Sequence, residues 1–220
     1  MPRLQRHLRL KEMKKSMECK KEFIPTVCSK LDCPFYNGCS LLQTEVVKTR
    51  NDDQIDLMFV GQGAGEKEHL THHPFTGPAG KLLREKLLPR LESKKLNIIL
   101  DNTIRSRPLD ERGKNRAPTR DEVEHCLPIV WQRIEQFKPT IIIPVGASAA
   151  GDLIPTAYKK PISSVRGRKY TVEGFTFIPT FHPAAILHCK DPDMIQEYHS
   201  KIEADLDKAI SETGGMMRLI

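Results

Sequence analysis

Three short apolar runs punctuate this chain, and each gives way to small or polar residues and then to a helical pattern. Leu57-Met58-Phe59-Val60 enters Gly61-Gln62-Gly63-Ala64-Gly65. Asn97-Ile98-Ile99-Leu100 ends at Asp101-Asn102, and Thr140-Ile141-Ile142-Ile143-Pro144-Val145 enters Gly146-Ala147-Ser148. Runs of four to six β-branched and aliphatic residues fit buried strands. Helical periodicity occupies the intervals: residues 80–91 carry Leu82, Leu83, Leu87, Leu88 and Leu91 on one side, and residues 193–210 form an amphipathic stretch. Strands alternating with helices require crossover connections, so the expected fold class is α/β: a three-layer α/β/α sandwich around a central, mainly parallel sheet.

Local signals sharpen the boundaries. Thr119-Arg120-Asp121-Glu122 is a capping box, in which threonine and glutamate satisfy each other's orphan backbone donors, and it predicts a helix to about Phe137 with an irregularity at Pro128. Glu173-Gly174 between two β-rich runs, 169–172 and 175–178, predicts a hairpin. Residues 1–25 read as a basic N-terminal extension with only a thin apolar stripe (Leu8, Leu10, Met13), and residues 26–220 as one domain with a cysteine-rich beginning.

Composition limits the partners. The 220 residues carry a formal charge of +7, with a sequence pI near 9.1, which suits a polyanion whose counterions lysine and arginine release. No run approaches the roughly 18 apolar residues of a membrane span, and Met1 to His7 contain no apolar signal core. The expectation is an intracellular protein, cytoplasmic or nucleoid-associated, without a membrane partner.

Ligands of open parallel sheets bind at the carboxyl ends of the strands. Two loops there stand out: the glycine loop with its continuation Pro74-Phe75-Thr76-Gly77-Pro78-Ala79-Gly80, and the distant Pro179-Thr180-Phe181-His182-Pro183-Ala184-Ala185. The glycine loop fits neither the dinucleotide fingerprint, because Glu66 or Glu68 falls at the last glycine position, nor the phosphate-binding G-x-x-x-x-G-K-[ST] loop. Its glycines permit close backbone approach, and Phe75 offers a ring for a planar ligand.

In order along the chain, these segments resemble the uracil-DNA glycosylase superfamily, most closely its iron–sulfur (family 4) branch. That branch reads G-E-x-P-G-x-x-E, then P-F-x-G-x-A-G. Asn102-Thr103-Ile104-Arg105-Ser106-Arg107-Pro108 resembles its N-x-x-K-C-R-P, Val145-Gly146-Ala147 its third strand and turn, Val165-Arg166-Gly167-Arg168 a further family segment, and Thr180-Phe181-His182-Pro183-Ala184 its histidine-proline loop. The likeness spans roughly residues 28–210.

The resemblance implies hydrolysis of the N-glycosidic bond of uracil, or a related pyrimidine, flipped out of DNA by a monomeric protein. Such chemistry needs a base pocket, a stacking ring, a reader of the pyrimidine edge and a donor for the departing base. The resemblance assigns stacking to Phe75, edge reading to Asn102, the donor near O2 to His182, and close backbone approach to Gly61 and Gly63. One amide both donates and accepts, which suits the O4 and N3–H of uracil. Leu187 is the candidate wedge, and Arg166 and Arg168 lead the candidates for phosphate contacts, with Arg105, Arg107, Arg112, Lys114 and Arg116 in a basic loop.

The chain departs from the family at two places. Gln62 replaces the usual carboxylate and cannot act as a general base at neutral pH, which leaves Glu68 as the carboxylate and Gln62 to contribute backbone contacts and water positioning. A relative with altered or lost chemistry, serving as a DNA-binding sensor of a modified base or in a replication complex, is the alternative reading. A small-molecule hydrolase fits the basic balance less well.

The second departure is Ser106, which stands where the family has its third cluster cysteine, and a serine substitutes poorly for a thiolate. Of the six cysteines, Cys28 and Cys33 resemble the family's first ligand pair and Cys126 its last, with Cys39 available as the fourth. Four thiolates suit a [4Fe-4S] cluster, here a structural tie between the N-terminal segment and the domain. A tetrahedral site of four cysteine thiolates suits zinc as well, and free buried thiols are the third reading.

Overall fold

The computed structural model describes residues 33–35 and 43–214. The expected extension 1–25 lies outside them, as do Cys28 and Cys39. The sheet contains β1 (Glu45–Val47), β2 (Leu57–Gly61), β3 (Ile98–Asn102), β4 (Ile141–Pro144), β5 (Tyr170–Val172) and β6 (Phe175–Phe177), in the order β1-β3-β2-β4-β6-β5. The central pairs β3–β2, β2–β4 and β4–β6 are parallel, whereas β1 and β5 close the two edges antiparallel. The mainly parallel sheet is therefore present. β1 was not legible as a strand, because its three residues are too short to show alternation.

Side chains alternate between two cores. Leu57, Phe59, Ile98, Leu100, Ile141 and Ile143 face one side, where they join Leu83 and Leu91 of α2 (Pro78–Ser93) and Ile202, Leu206 and Ile210 of α7 (Pro192–Glu212). Met58, Val60, Ile99 and Ile142 face the other, against Leu127, Val130, Trp131 and Ile134 of α3 (Arg120–Phe137) and Ala150 and Leu153 of α4 (Ala147–Leu153). Period-two alternation sends neighbours to opposite faces, so continuous apolar runs in the sequence become one sheet between two helical layers.

The capping box forms as expected: the Glu122 backbone N–H donates to Thr119 Oγ1, and the Thr119 backbone N–H donates to the Glu122 carboxylate. Pro128 lies inside a helix that continues unbroken to Phe137. The hairpin is also present, with Glu173 at φ 52° and Gly174 at φ 83° between β5 and β6. Three short helices, α1 (Glu66–Thr71), α5 (Ile162–Val165) and α6 (Ala184–His188), were not anticipated, because one or two turns carry too little periodicity to read.

Candidate active site

Register brings the site together. Gly61 at the end of β2 pairs with Asn102 at the end of β3, so both loops leave the sheet at one level. The Thr103 and Ile104 backbone N–H groups then donate to the Gly61 and Gln62 carbonyls, at 2.9 and 2.7 Å, and bind the two strand ends into one rim. On the far side of β2, the parallel β4 ends at Pro144. The β6 extension follows it, with the Thr180 N–H bonded to the Pro144 carbonyl and the Gly146 N–H to the Thr180 carbonyl. The histidine-proline loop thus emerges beside the glycine loop although some 120 residues separate them.

A cavity of about 420 Å³ opens at these ends. Its lining includes Phe75, Asn102, Glu68, His182, Gln62 and Gly63, so every catalytic and base-binding candidate named from the sequence borders one space except Gly61, which lies directly behind Asn102 and Phe75. The volume falls within the roughly 300–1,000 Å³ of small-molecule sites.

Asn102 forms the floor. It is 3% exposed, and its side-chain amide has no hydrogen-bond partner among the described residues. A Cβ on Gly61 would collide with Asn102 Oδ1 and lie 3.1 Å from the Phe75 ring, so glycine is what lets the amide and the ring share this corner. Phe75 is 5% exposed and belongs to the core as well as to the pocket wall. Its φ of 56° is left-handed, a costly conformation for an aromatic residue. Arg84 holds the turn in place by donating to the Phe75 and Pro74 carbonyls at 3.0 and 2.8 Å while gripping Glu45 of β1 with both terminal nitrogens.

Glu68 sits on α1. One carboxylate oxygen accepts the Gly77 N–H at 2.9 Å, which joins α1 to the Phe75 turn. A Cβ on Gly65 or Gly77 would press on this carboxylate. Across the cavity, Nδ1 of His182 accepts the Ala184 backbone N–H at 3.1 Å. The ring reaches solvent at the pocket mouth, yet the enclosing loop and walls push its pKa below the ordinary 6.5, with the Glu68 carboxylate pulling the other way. A neutral imidazole whose Nδ1 accepts carries its proton on Nε2, the arrangement of a hydrogen-bond donor.

Gln62 also borders the pocket, and its amide Nε2 donates to Asp152 of α4 at 3.2 Å. Asp152 carries no sequence signal, since a single acid in the last turn of a seven-residue helix reads as a solvated surface residue.

The candidate DNA contacts divide. Leu187 on α6 is 47% exposed, close after His182, and Arg168 is exposed with no hydrogen-bond or ion-pair partner among the described residues. Arg166 is turned inward instead: its guanidinium grips both oxygens of Asp205 at 2.7 and 2.9 Å, donates to the Lys201 carbonyl and lies over the Phe181 ring. Asp205 also accepts the Thr180 hydroxyl at 2.8 Å, so this cluster anchors the histidine loop to α7. Arg105 of the basic loop is likewise buried, paired with Asp101 at the end of β3. Both arginines are committed to the fold because each has a buried carboxylate to neutralise.

At the cysteine site two of the four candidates are described. Cys126 on α3 is 3% exposed, and its thiol pKa is raised by burial and by nearby Cys33, against a lowering hydrogen bond from the Arg105 backbone. Phe35, two residues after Cys33, packs edge-on against His125 with centroids 5.4 Å apart. The buried Cys126 thiol lies near Cys33, and two neighbouring sulfur donors are the ligand type that a thiolate-held group takes. Ser106, which follows Arg105 in the chain, is 5% exposed. Among the described residues no group of three or more potential ligands forms.

A fold with helices on both faces of a mainly parallel sheet and a pocket at its strand ends admits many chemistries. The relatives narrow them. The sequence model of the uracil DNA glycosylase superfamily matches residues 48–206. The Type-4 uracil-DNA glycosylase of Saccharolobus solfataricus is 33% identical over 148 residues, 64% of this chain and 67% of its own length. Those of Archaeoglobus fulgidus and Thermotoga maritima are each 32% identical, over 165 residues (72% of this chain, 79% of theirs) and 180 residues (81% and 86%). This chain belongs to the uracil-DNA glycosylase superfamily. No described helix is long and apolar enough to cross a membrane.

Proposed function

We propose that this protein is a DNA glycosylase that hydrolyses the N-glycosidic bond of uracil, or of a related pyrimidine, after the nucleotide has left the helix. The observation that carries this reading is the convergence of Phe75, Asn102, Glu68 and His182 on one cavity at the carboxyl ends of parallel strands. The flipped base stacks on Phe75. Asn102 donates to O4 and accepts from N3–H, and its buried position makes an unmatched base leave that amide unpaired.

As the bond between C1′ and N1 breaks, its electron pair leaves with the base. The developing anion on O2 receives the Nε2–H of neutral His182, a donor already oriented by Ala184. The sugar gains oxocarbenium character, which the Glu68 carboxylate across the pocket stabilises. Water adds to C1′, and its proton passes to solvent or to the departed base. Gln62 holds that water as a hydrogen-bond partner and takes no proton. Leu187 enters the stack in place of the base, and Arg168 contacts phosphate. Cys28, Cys33, Cys39 and Cys126 would hold a [4Fe-4S] cluster, which ties the N-terminal segment to α3 and supplies no step of the hydrolysis.

The test is incubation with a uracil-containing oligonucleotide followed by alkali, which cleaves at abasic sites. Strand breaks at uracil are expected. Intact strands with uracil, hypoxanthine and hydroxymethyluracil, alongside retained DNA binding, would overturn the catalytic reading. They would favour the second one, a DNA-binding relative with altered chemistry, to which Gln62 in place of the family carboxylate points.

A further inference from the structure

Gln62 forms part of the wall between two cavities. The base pocket lies on one side, and a groove of about 430 Å³ between α3 and α4 lies on the other, reaching Asp152, Tyr158 and Lys159. The Gln62 amide is anchored toward the groove. Nε2 donates to Asp152 Oδ2 at 3.2 Å, and the same oxygen lies 3.0 Å from the hydroxyl of Thr103, a wholly buried residue. That hydroxyl is also 3.0 Å from the Gln62 carbonyl, so its single proton is shared between a backbone and a carboxylate acceptor. Asp152 is thereby joined to both strand ends that build the pocket rim.

We infer that Asp152 is a positioning residue for the reaction: from one hydrogen bond behind Gln62 it fixes the glutamine amide and supplies the negative charge that position 62 lacks. This rests on the glycosylase reading above. A carboxylate accepts and cannot donate, so it admits only the NH2 end of the amide. The carbonyl end then remains as the acceptor for the attacking water, and an amide flip, which would present a donor to that water, loses the bond to Asp152. The charge acts as well. A carboxylate beyond the amide polarises it and lowers the energy of a cationic sugar, more weakly than a carboxylate in contact would.

The arrangement also explains why glutamine is compatible with this pocket where the family's glutamate is not. A glutamate at 62 would face Asp152 across one hydrogen-bond length, and two carboxylates that close cannot both ionise. Arg120, Lys159 and Lys160 line the same groove, and Arg120 is held by Glu124. Moving the negative charge from Asp152 to position 62 is therefore a charge swap within one hydrogen-bonded pair.

The experiment compares wild type, Asp152→Asn, Asp152→Ala, Gln62→Glu and the double variant Gln62→Glu/Asp152→Asn. It measures single-turnover excision, affinity for uracil-containing DNA and Tm. Asp152→Asn, which can still accept from Gln62 but is uncharged, should slow excision about 10-fold, and Asp152→Ala about 100-fold, each with affinity unchanged. Gln62→Glu should be slow, and the double variant should recover at least about 10-fold over it, a rescue that a merely structural role would not produce. Wild-type rates in Asp152→Ala, or a double variant no faster than Gln62→Glu, would overturn the inference and leave the glycosylase reading intact. A wild type inactive on every base would overturn that reading and the inference with it. The side-chain NH2 resonances of Gln62 give a readout independent of turnover: they should shift in Asp152→Ala, and unmoved resonances would refute the anchoring itself.

Discussion

The backbone N–H of Ala184 donates to Nδ1 of His182 at 3.1 Å, and this bond leaves Nε2 as the ring nitrogen that carries the proton of the neutral imidazole. Protonation of the ring would destroy the acceptor, so it must break the bond. Although the ring reaches solvent at the pocket mouth, its partial desolvation by the surrounding loop lowers its pKa from the ordinary 6.5, against the opposing pull of the Glu68 carboxylate. The sign follows: the folded protein holds His182 neutral above the ordinary imidazole range and for some way beneath it, and the ring charges only as pH falls through its depressed value. Nitrogen NMR at neutral pH should show the Nε2–H tautomer. His182→Ala should reduce excision roughly 100- to 1,000-fold, the loss typical of one oxyanion donor. An imidazolium at pH 7 would contradict the assignment.

Gly61 and Asn102 occupy one corner, and a methyl group at 61 displaces the amide proposed to read the base. Gly61→Ala should impair excision by about 100-fold or more, while Asn102→Ala removes about 1–3 kcal/mol of base recognition, roughly 5- to 150-fold in kcat/KM. An Asn102→Ala variant with full excision would refute edge reading by this residue. Tm measurements separate the two: Gly61→Ala forces the buried Asn102 and Phe75 side chains aside, whereas Asn102→Ala leaves a space open to the pocket.

Arg166 and Arg168 sit two residues apart in one family-like segment, yet their predicted variants differ. Arg166→Ala strands the Asp205 carboxylate, 3% exposed, and should cost about 3 kcal/mol of stability. Arg168→Ala should leave Tm unchanged and reduce the dependence of log Kd on log salt by about one phosphate contact. Urea unfolding and salt titration of DNA binding check the pair. Equal loss of salt dependence in both would place Arg166 at the DNA after all.

The cysteine site is tested by colour and metal content. Anaerobically purified protein should show the brown absorption of an iron–sulfur cluster with matching iron and sulfide, and Cys33→Ser or Cys126→Ser should lose it together with part of the Tm. A colourless protein holding one zinc would replace the cluster with the tetrahedral alternative.

Much of the fold was legible in the chain because its signals are local. The capping box at Thr119 joins residues three apart, the hairpin at Glu173-Gly174 needs only positive φ, and the apolar runs at 57–60, 97–100 and 140–145 announce buried strands. The ordered motifs likewise named Phe75, Asn102, Glu68 and His182, which do border one pocket. The Gln62–Asp152 bond was invisible, since it spans 90 residues and depends on α4 following β4 next to β2.

The sequence by itself determined the strand and helix alternation, the helix start at Arg120 and the family-like motifs that carry Phe75, Asn102, Glu68 and His182. Only the tertiary structure decided which of these basic side chains are committed to the fold, since Arg105 and Arg166 answer to buried carboxylates and Arg168 does not. It also decided that the glutamine at position 62 has a carboxylate behind it. Periodicity and capping are short-range properties of a chain, whereas the partner of a charge is set by strand order, which brings distant segments within a hydrogen bond of each other.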